Sequence, residues 1–170
     1  MDKTKQHDLM PSPSAANIAA EDIDIDQILY CSLAKQPMDE AALHALAQSA
    51  AALNRMDHIT GLLMHSDSVF VQLIEGPRHA VQHLWARLLR DPRHFGIVQL
   101  YHYRELETRS CKNWDMKLVS FDMLQSIVHQ AHEEVRAGRP SVWAQAIERM
   151  DFLLSDSHWN EFVKQLKQPS

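Results

Sequence analysis

Cysteine and glycine are scarce in this sequence of 170 residues, which contains two cysteines and four glycines. Cys31 and Cys111 lie far apart and form no CxxC pair, so the sequence offers neither a disulfide framework nor a thiolate metal site. No GxGxxG or P-loop phosphate-binding motif is present. This use of cysteine is typical of a reducing compartment, and we expect a cytoplasmic protein.

The sequence also lacks an excess of positive charge and a long hydrophobic run. Its formal net charge is −5 at pH 7, which argues against binding to nucleic acid or to an anionic membrane surface. No apolar stretch approaches the roughly 20 residues of a membrane-spanning helix. The polar N-terminus has no apolar segment typical of a signal peptide. We therefore expect neither nucleic acid nor a membrane as a partner.

Signatures of known catalytic sites are missing as well. The sequence contains no GxSxG and no HExxH motif, and no two acidic residues pair in an apolar setting. Two histidine pairs have helical spacing, His79 with His83 and His129 with His132, but neither pair has a third ligand beside it. We expect neither an enzyme nor a metal site.

The residues that are present include an apolar fraction of 45%, enough for a core, and its periodicity changes along the chain. Apolar and β-branched runs predict five strands, at 27–34, 58–65, 68–75, 96–105 and 114–121. Helical spacing predicts one helix from Asp39 to about Asn54 and another from Pro77 to Asp91. The order β-α-β-β-α-β with an extra strand predicts a ferredoxin-like α+β fold with a mixed, largely antiparallel sheet.

The composition divides the chain into three parts. Residues 1–24 are rich in proline, small polar and acidic residues, so we expect a disordered N-terminal extension. Residues 25–121 form the ferredoxin-like domain. Residues 122–170 form a C-terminal helical appendage, with helical patterns at 122–136 and 140–153 and a shorter one near its end. Because the third strand is apolar on both faces, we expect these helices to cover the sheet face opposite to the two main helices.

Three polar residues occupy positions where core residues are expected. Gln72 lies between Phe70 and Ile74 on one face of the third strand, Tyr30 lies within the first strand, and Asn54 ends the apolar stripe of the first helix. The first and third strands are neighbours in a ferredoxin-like sheet, so Tyr30 and Gln72 are expected to meet. From spacing alone, two interpretations stay open: a satisfied core pair, or the polar edge of a ligand site between the two helices.

The segments that carry these residues resemble the BLUF domain, a blue-light sensor that uses flavin. The resemblance covers about residues 26–120 and rests on five segments in family order: ILYCSLA, LNRMDHITGLLMH, SVFVQLIEG, WARLLRDPRHFG and NWDMKL. The strand-one tyrosine, the asparagine before ITG, the glutamine of FxQxxEG and the late WxM have family-like spacing. The chain departs from the pattern at Cys111, where the family often has an aromatic residue.

The resemblance implies a BLUF protein of the short, single-domain type with FAD bound between the two helices. It makes Tyr30 the photoactive tyrosine and Gln72 the switching glutamine. It implies cofactor-binding roles for seven residues: Tyr30, Leu46, Asn54, Gln72, Arg87, Leu88 and His94. Trp114 and Met116 match the family's strand-five pair, which relays the signal and of which either member can lie near the glutamine.

The implied mechanism is that of a blue-light photoreceptor. Excitation of FAD drives electron and proton transfer from Tyr30 and rearranges the hydrogen bonds of Gln72. The change passes through strand five to the C-terminal helices, which modulate an unidentified protein partner engaged in trans or a homo-oligomer. The alternative is a flavin-free ferredoxin-like interaction module. An acylphosphatase-like enzyme is disfavoured, because the loop AKQPMD after the first strand contains neither arginine nor glycine.

Overall fold

A computed structural model describes residues 24–169, so the predicted disordered extension lies, except for Asp24, outside the described residues. The strands are β1 (Ile25–Ala34), β2 (Thr60–Ser66), β3 (Val69–Pro77), β4 (His94–Leu106) and β5 (Lys117–Val119). The helices are α1 (Glu40–Met56), α2 (Arg78–Leu88), α3 (Phe121–Arg136), α4 (Ala144–Ile147) and α5 (Asp156–Leu166), with a 3-10 turn at Asp151–Leu153.

The strands of the described chain form one sheet in the order β4-β1-β3-β2-β5. β1 pairs antiparallel with both β3 and β4, β2 pairs antiparallel with β3, and β5 pairs parallel with β2. The predicted ferredoxin-like α+β fold with an added strand in a mixed sheet is therefore confirmed. The order makes β1 and β3 the central pair, which is where the two mid-strand polar residues lie.

Local sequence signals account for the ends of several elements. Asp39 caps α1 by accepting a hydrogen bond from the backbone N–H of Ala42 at 2.8 Å. Ser120 caps α3 in the same way through Met123 at 3.1 Å. The β2–β3 turn places Asp67 and Ser68 at φ of 52° and 68°, as a two-residue hairpin turn of the primed type requires.

Each face of the sheet is covered by its own set of helices. The face toward α1 and α2 buries Ile28, Tyr30, Leu63, Phe70 and Ile74 of the sheet with Val81 and Leu84 of α2. The opposite face buries Leu29, Cys31, Met64, Val71 and Leu73 with Leu124 and Val128 of α3 and Leu153 of the 3-10 turn. The expected cover by the C-terminal helices is thus confirmed, and it explains why β3 has two apolar faces.

The predicted helix at 140–153 is wrong, because this segment contains only the four residues of α4 and the 3-10 turn. Its backbone makes bonds of three-residue spacing, from Met150 N to the Ile147 oxygen at 3.1 Å and from Leu153 N to the Met150 oxygen at 2.9 Å. All three side chains are buried against the sheet. Packing of an irregular segment across the sheet outweighs helical propensity here.

Two predicted boundaries also differ. The fifth strand was predicted at 114–121 but contains only Lys117–Val119, since Ser120 already caps α3. Pro77 is the last residue of β3 and precedes α2, whereas the sequence placed it in the first turn of that helix. The segment before β5 consequently runs as a loop along the end of the sheet, and it carries Trp114 and Met116.

Candidate functional site

Tyr30 and Gln72 form a buried pair at the centre of the sheet. They lie directly opposite each other in the β1–β3 register, and the Tyr30 hydroxyl donates a hydrogen bond to Oε1 of Gln72. Their exposed fractions are 2% and 7%. Burial raises the pKa of the Tyr30 phenol well above its usual range, so the hydroxyl keeps its proton at neutral pH.

The amide nitrogen of Gln72 has a much weaker partner than its oxygen has. Nε2 donates to the thioether sulfur of Met116 at 3.7 Å, and a thioether is a weak acceptor. An amide nitrogen carries two hydrogens, and burial without a strong acceptor is unfavourable. The position therefore suits a ligand that presents a carbonyl or ring-nitrogen acceptor to Gln72.

Two adjoining cavities lie between α1 and α2 beside this pair, with volumes of about 180 and 80 Å³. Both are lined by Leu46, Ala50, Gln72, Leu88, Asp91 and Arg93. The smaller cavity also reaches Tyr30 and His94, and the larger one reaches Asn54 and Arg87. Apolar side chains from two helices thus face each other across a space that has polar groups along one edge.

Asn54 lies at the end of α1 and is buried, with an exposed fraction of 2%. Its Nδ2 donates to the backbone oxygen of Asp115 at 2.8 Å, and Arg55 Nε contacts the Asp115 carboxylate at 2.8 Å. These two bonds attach the end of α1 to the residue that precedes Met116. The polar edge of the cavity is therefore joined to the segment that leads into β5.

Arg87 and His94 occupy different positions within the site. Arg87 lines only the larger cavity, its side chain is 53% exposed, and it lies 3.8 Å from Asp57. His94 has both ring nitrogens engaged, Nδ1 with Ser32 Oγ at 2.7 Å and Nε2 with the Leu88 oxygen at 2.9 Å. His94 is thus held as a wall of the smaller cavity, whereas Arg87 stands at the mouth of the larger one.

Asp91 and Arg93 line both cavities, and sequence reasoning missed them. The Arg93 Nε lies 2.9 and 3.0 Å from the two carboxylate oxygens of Asp91. These bonds to Arg93 lower the pKa of Asp91, and the carboxylate raises the pKa of the guanidinium. Both residues stand in RDPRHFG, next to His94, but the sequence marked Asp91 only as a helix end. The position of Arg93 directly before His94 was the sequence signal that could have identified it as a site residue.

Trp114 and Met116 lie on opposite sides of the sheet. Met116 is 7% exposed and belongs to the core between the sheet and α1–α2, beside Gln72. Trp114 packs against the other core, with its ring centroid 6.4 Å from that of Trp143 and Lys117 Nζ 4.5 Å from its centroid. Of the two residues, it is Met116 that the structure brings to the candidate site.

A larger groove, of about 750 Å³, lies where the end of α1 meets the start of α2. It is lined by residues around Asp57 and His83 and by none of the predicted site residues. Within residues 24–169, no three His, Cys, Asp or Glu side chains are placed to hold a metal ion. The groove therefore lacks the buried polar edge that distinguishes the two cavities beside Gln72.

The fold agrees with a match to a family of light-sensing flavin proteins. The family model for BLUF, sensors of blue light using FAD, matches residues 25–117. The chain belongs to the BLUF family. The resemblance read from the sequence is thereby confirmed, and the matched family is described as one of blue-light sensors.

Curated relatives include photoactivated adenylate cyclases of Euglena gracilis. The chain is 33% identical over 127 residues to the subunit beta of such a cyclase, which covers 71% of this chain and 14% of the relative. A subunit beta-like protein, FB, is 33% identical over 115 residues, or 67% of this chain and 13% of the relative. The chain thus spans about a seventh of the length of the curated relatives it matches.

Solved structures share this fold. BlrB, described as a BLUF protein in its dark state, superposes with a TM-score of 0.57 at 24% identity, covering 84% of this chain and 95% of that one. Klebsiella pneumoniae BlrP1, solved with FMN and cyclic diGMP, gives a TM-score of 0.52 at 26% identity, covering 58% and 26% of the two chains. In the part of this chain that the structure describes, no helix has the length and apolarity to cross a membrane.

Proposed function

We propose that this chain is a blue-light photoreceptor in which Tyr30 and Gln72 are the photoactive pair of a flavin site between α1 and α2. The observation that carries the proposal is the buried hydrogen bond from the Tyr30 hydroxyl to Gln72 Oε1 at the wall of a cavity. The family match to sensors that use FAD supports the choice of cofactor. FAD is preferred to FMN on that description.

The chemistry of the cavities fits a flavin ring. Leu46 and Ala50 of α1 face Leu88 of α2 across the space, which suits a flat aromatic ring system. Along one edge, the amides of Asn54 and Gln72 offer both donors and acceptors, and Arg93 adds a cationic donor. A flavin has a polar edge of carbonyls and ring nitrogens that matches such a donor set.

The photochemical step starts at Tyr30. A flavin held between α1 and α2 would supply the absorption of blue light and would take up and return one electron. As the phenol is oxidised, its proton moves along the existing hydrogen bond to Oε1 of Gln72. The amide of Gln72 then exchanges its partners, by rotation or by tautomerisation, because it carries both donors and an acceptor. When the electron and the proton return to Tyr30, the new set of bonds at Gln72 remains, and this set is the lit state of the site.

Met116 carries the change out of the site. Its sulfur accepts from Gln72, so a rearranged amide alters the contact that holds Met116 in the core. β5 starts at the next residue, Lys117, and leads through Ser120 into α3. We place the output in these C-terminal helices, which act on another protein or a second copy of this chain. The cyclase relatives are proteins in which a light sensor and an effector occur together.

Absorption spectroscopy tests the flavin site. Purified protein reconstituted with FAD is expected to be yellow and to show a small, reversible red shift of the flavin band under blue light. Gln72→Leu is expected to keep the flavin and lose the shift, whereas Gln165→Leu, which alters an exposed amide on α5 away from the cavities, keeps both. Protein that binds no flavin, or a full shift in Gln72→Leu, contradicts the proposal.

Measurements of assembly test the output. Light scattering and pull-down from lysate in the dark and under blue light are expected to differ in the oligomer or the bound protein. Gln72→Leu serves as the control, since it should behave identically in both conditions. Identical assembly, identical binding and identical amide exchange of the C-terminal helices in dark and light would contradict an output through α3–α5.

A further inference from the structure

Glu75 is a fully buried carboxylate that the proposed photochemistry does not use. It lies three residues after Gln72 on β3, on the opposite face of the sheet, and its exposed fraction is zero. Four donors bind its two oxygens: Gln27 Nε2 at 2.7 Å, Thr60 Oγ1 at 3.0 Å, Ser110 N at 2.9 Å and Cys111 N at 2.6 Å. Two of these donors are consecutive backbone amides of the loop between β4 and β5.

The bonds extend from Glu75 across the sheet. Gln27 on β1 donates from Nε2 to Glu75 and also to Ser110 Oγ at 3.1 Å. Tyr101 on β4 donates its hydroxyl to Oε1 of the same Gln27 at 2.6 Å. Thr60 on β2 completes the set. Gln27 of β1 and Thr60 of β2 therefore bind the carboxylate directly, Tyr101 of β4 is linked to it through Gln27, and the carboxylate in turn holds a loop.

The same loop is bound to the C-terminal part of the chain. Ser110 donates its hydroxyl to the backbone oxygen of Val142 at 2.5 Å, in the segment that joins α3 to α4. Arg109 donates to the backbone oxygen of His58 at 2.7 Å and contacts Thr60 Oγ1 at 3.2 Å. Ser110 is consequently a junction: its backbone belongs to the Glu75 site, and its hydroxyl contacts the C-terminal segment.

The free-energy cost of burying a charge indicates that the Glu75 carboxylate has a specific role. Burying a charged group is expensive, and an apolar side chain of similar volume is often as stabilising as a buried, bonded charge. A buried carboxylate with four donors does, however, hold two consecutive loop amides in one orientation, which an apolar side chain cannot do. From Cys111 the chain then has only five residues to Met116, so the position of the loop limits where Met116 can lie.

We infer that Glu75 is a positioning residue of the photosensor, which fixes the segment 109–116 so that Met116 reaches Gln72, and that Ser110 transmits movement of this segment to Val142. The inference rests on the proposed flavin function and adds an output route to it. β3 then carries both residues, with Gln72 on one face near the middle of the strand and Glu75 on the other face three residues later.

Two variants with matched controls test the inference on the flavin-loaded full chain. Glu75→Gln keeps the shape of the side chain but turns one acceptor into a donor toward groups that are themselves donors. It is expected to change the rate of dark recovery by about tenfold, which corresponds to the loss of one strong hydrogen bond. Glu107→Gln, an exposed acid in the same loop, should recover at the wild-type rate.

Ser110→Ala removes the hydroxyl that bonds Val142 and Gln27 but leaves the backbone amide that binds Glu75 in place. It should keep the flavin and the red shift, but lose the light-induced change in amide exchange at 139–155. Thr108→Ala, an exposed hydroxyl in the same loop, should retain that change, and Ser110→Thr should restore it. If Glu75→Gln does not fold, Ser110→Ala still decides the inference.

The outcomes distinguish a failure of this inference from a failure of the proposed photoreceptor function. A wild-type protein with no reversible shift overturns the photoreceptor and the inference together. A normal shift with no light-induced exchange change at 139–155, or with the same change in Ser110→Ala as in wild type, overturns only the inference. Wild-type recovery of Glu75→Gln likewise removes Glu75 from the mechanism and leaves the Tyr30–Gln72 pair untouched.

Discussion

The sulfur of Met116 lies 3.7 Å from Nε2 of Gln72, while Trp114, only two residues earlier, packs on the other face of the sheet. Because of this separation, the two side chains of the WxM motif can respond to different parts of the molecule. Met116 can respond directly to a rearrangement of the Gln72 amide. Trp114 contacts Trp143 and so belongs to the layer formed by the C-terminal helices.

Met116→Leu is expected to alter the red shift or its dark recovery while keeping flavin bound. The substitution conserves volume, so its cost in stability should stay below about 1.5 kcal/mol, but it removes the acceptor of Gln72 Nε2. Trp114→Phe should leave both spectral properties unchanged. Difference spectra and recovery kinetics of the two variants make the comparison. Equal spectral effects of both changes would contradict the division of roles.

Tyr30→Phe is expected to retain flavin and to lose the normal reversible shift, because the phenol is the proposed source of the electron and the proton. It should also lower the free energy of unfolding by about 1–3 kcal/mol, since Gln72 Oε1 then lacks its buried donor. Tyr103→Phe, a half-buried tyrosine of β4 on the sheet face opposite to the cavities, is the control. Urea unfolding and light-dark spectra measure both effects, and a full shift in Tyr30→Phe would refute its role.

Arg93→Ala is expected to weaken flavin binding about tenfold, the effect of losing one charge-assisted hydrogen bond. Arg90→Ala, three residues earlier and exposed, should bind flavin as the wild type does. Arg87→Ala tests the residue implied by family resemblance, which stands at the mouth of the larger cavity. Fluorescence titration with FAD ranks the three variants. If only Arg87→Ala strongly weakens FAD binding, then Arg87 rather than Arg93 contacts the cofactor.

His65 is expected to make folding stability depend on pH below neutrality. Burial lowers its pKa, and among the described residues its Nε2 has no hydrogen-bond partner while its ring packs on Phe70 at 4.8 Å. The unfolded chain binds the proton more readily, near the ordinary pKa of about 6.5. Stability should therefore fall as pH drops through and below that value.

Melting temperatures between pH 8 and pH 5 (roughly the range in which histidine titrates) check this expectation. His65→Phe should flatten the dependence, because the group that resists protonation in the folded state is gone. His79→Phe replaces an exposed histidine and should keep the wild-type slope. Parallel curves for wild type and His65→Phe would show that His65 contributes nothing to it.

Periodicity along the sequence predicted the elements of the sheet and both flanking helices, since apolar residues recur at intervals of two or about 3.6 wherever a face is buried. The same reasoning failed at 140–153. There Met150, Phe152 and Leu153 are all buried, but in an irregular segment whose shape depends on the sheet beneath it. No local pattern encodes such a shape.

The sequence could predict those residues of the candidate site that are polar but occupy apolar positions of a strand or a helix. Gln72, on an apolar strand face, and Asn54, at the end of an apolar helix stripe, can be recognised from the sequence pattern. Arg93 is not, because an exposed arginine after a helix is unremarkable until the fold brings it to the cavity. The flavin-related roles assigned to these residues remain predictions for the experiments above.

By itself, the sequence determined the strand and helix order, the position of the two mid-strand polar residues, and the family, because these depend on local periodicity and on motif spacing. Tertiary structure alone decided that Met116 rather than Trp114 meets Gln72, that Arg93 lines the same cavities as Gln72, and that four donors converge on Glu75. Each of these contacts joins residues through the way that strands, helices and loops pack. Their geometry is set by the whole fold and has no signature in any single segment.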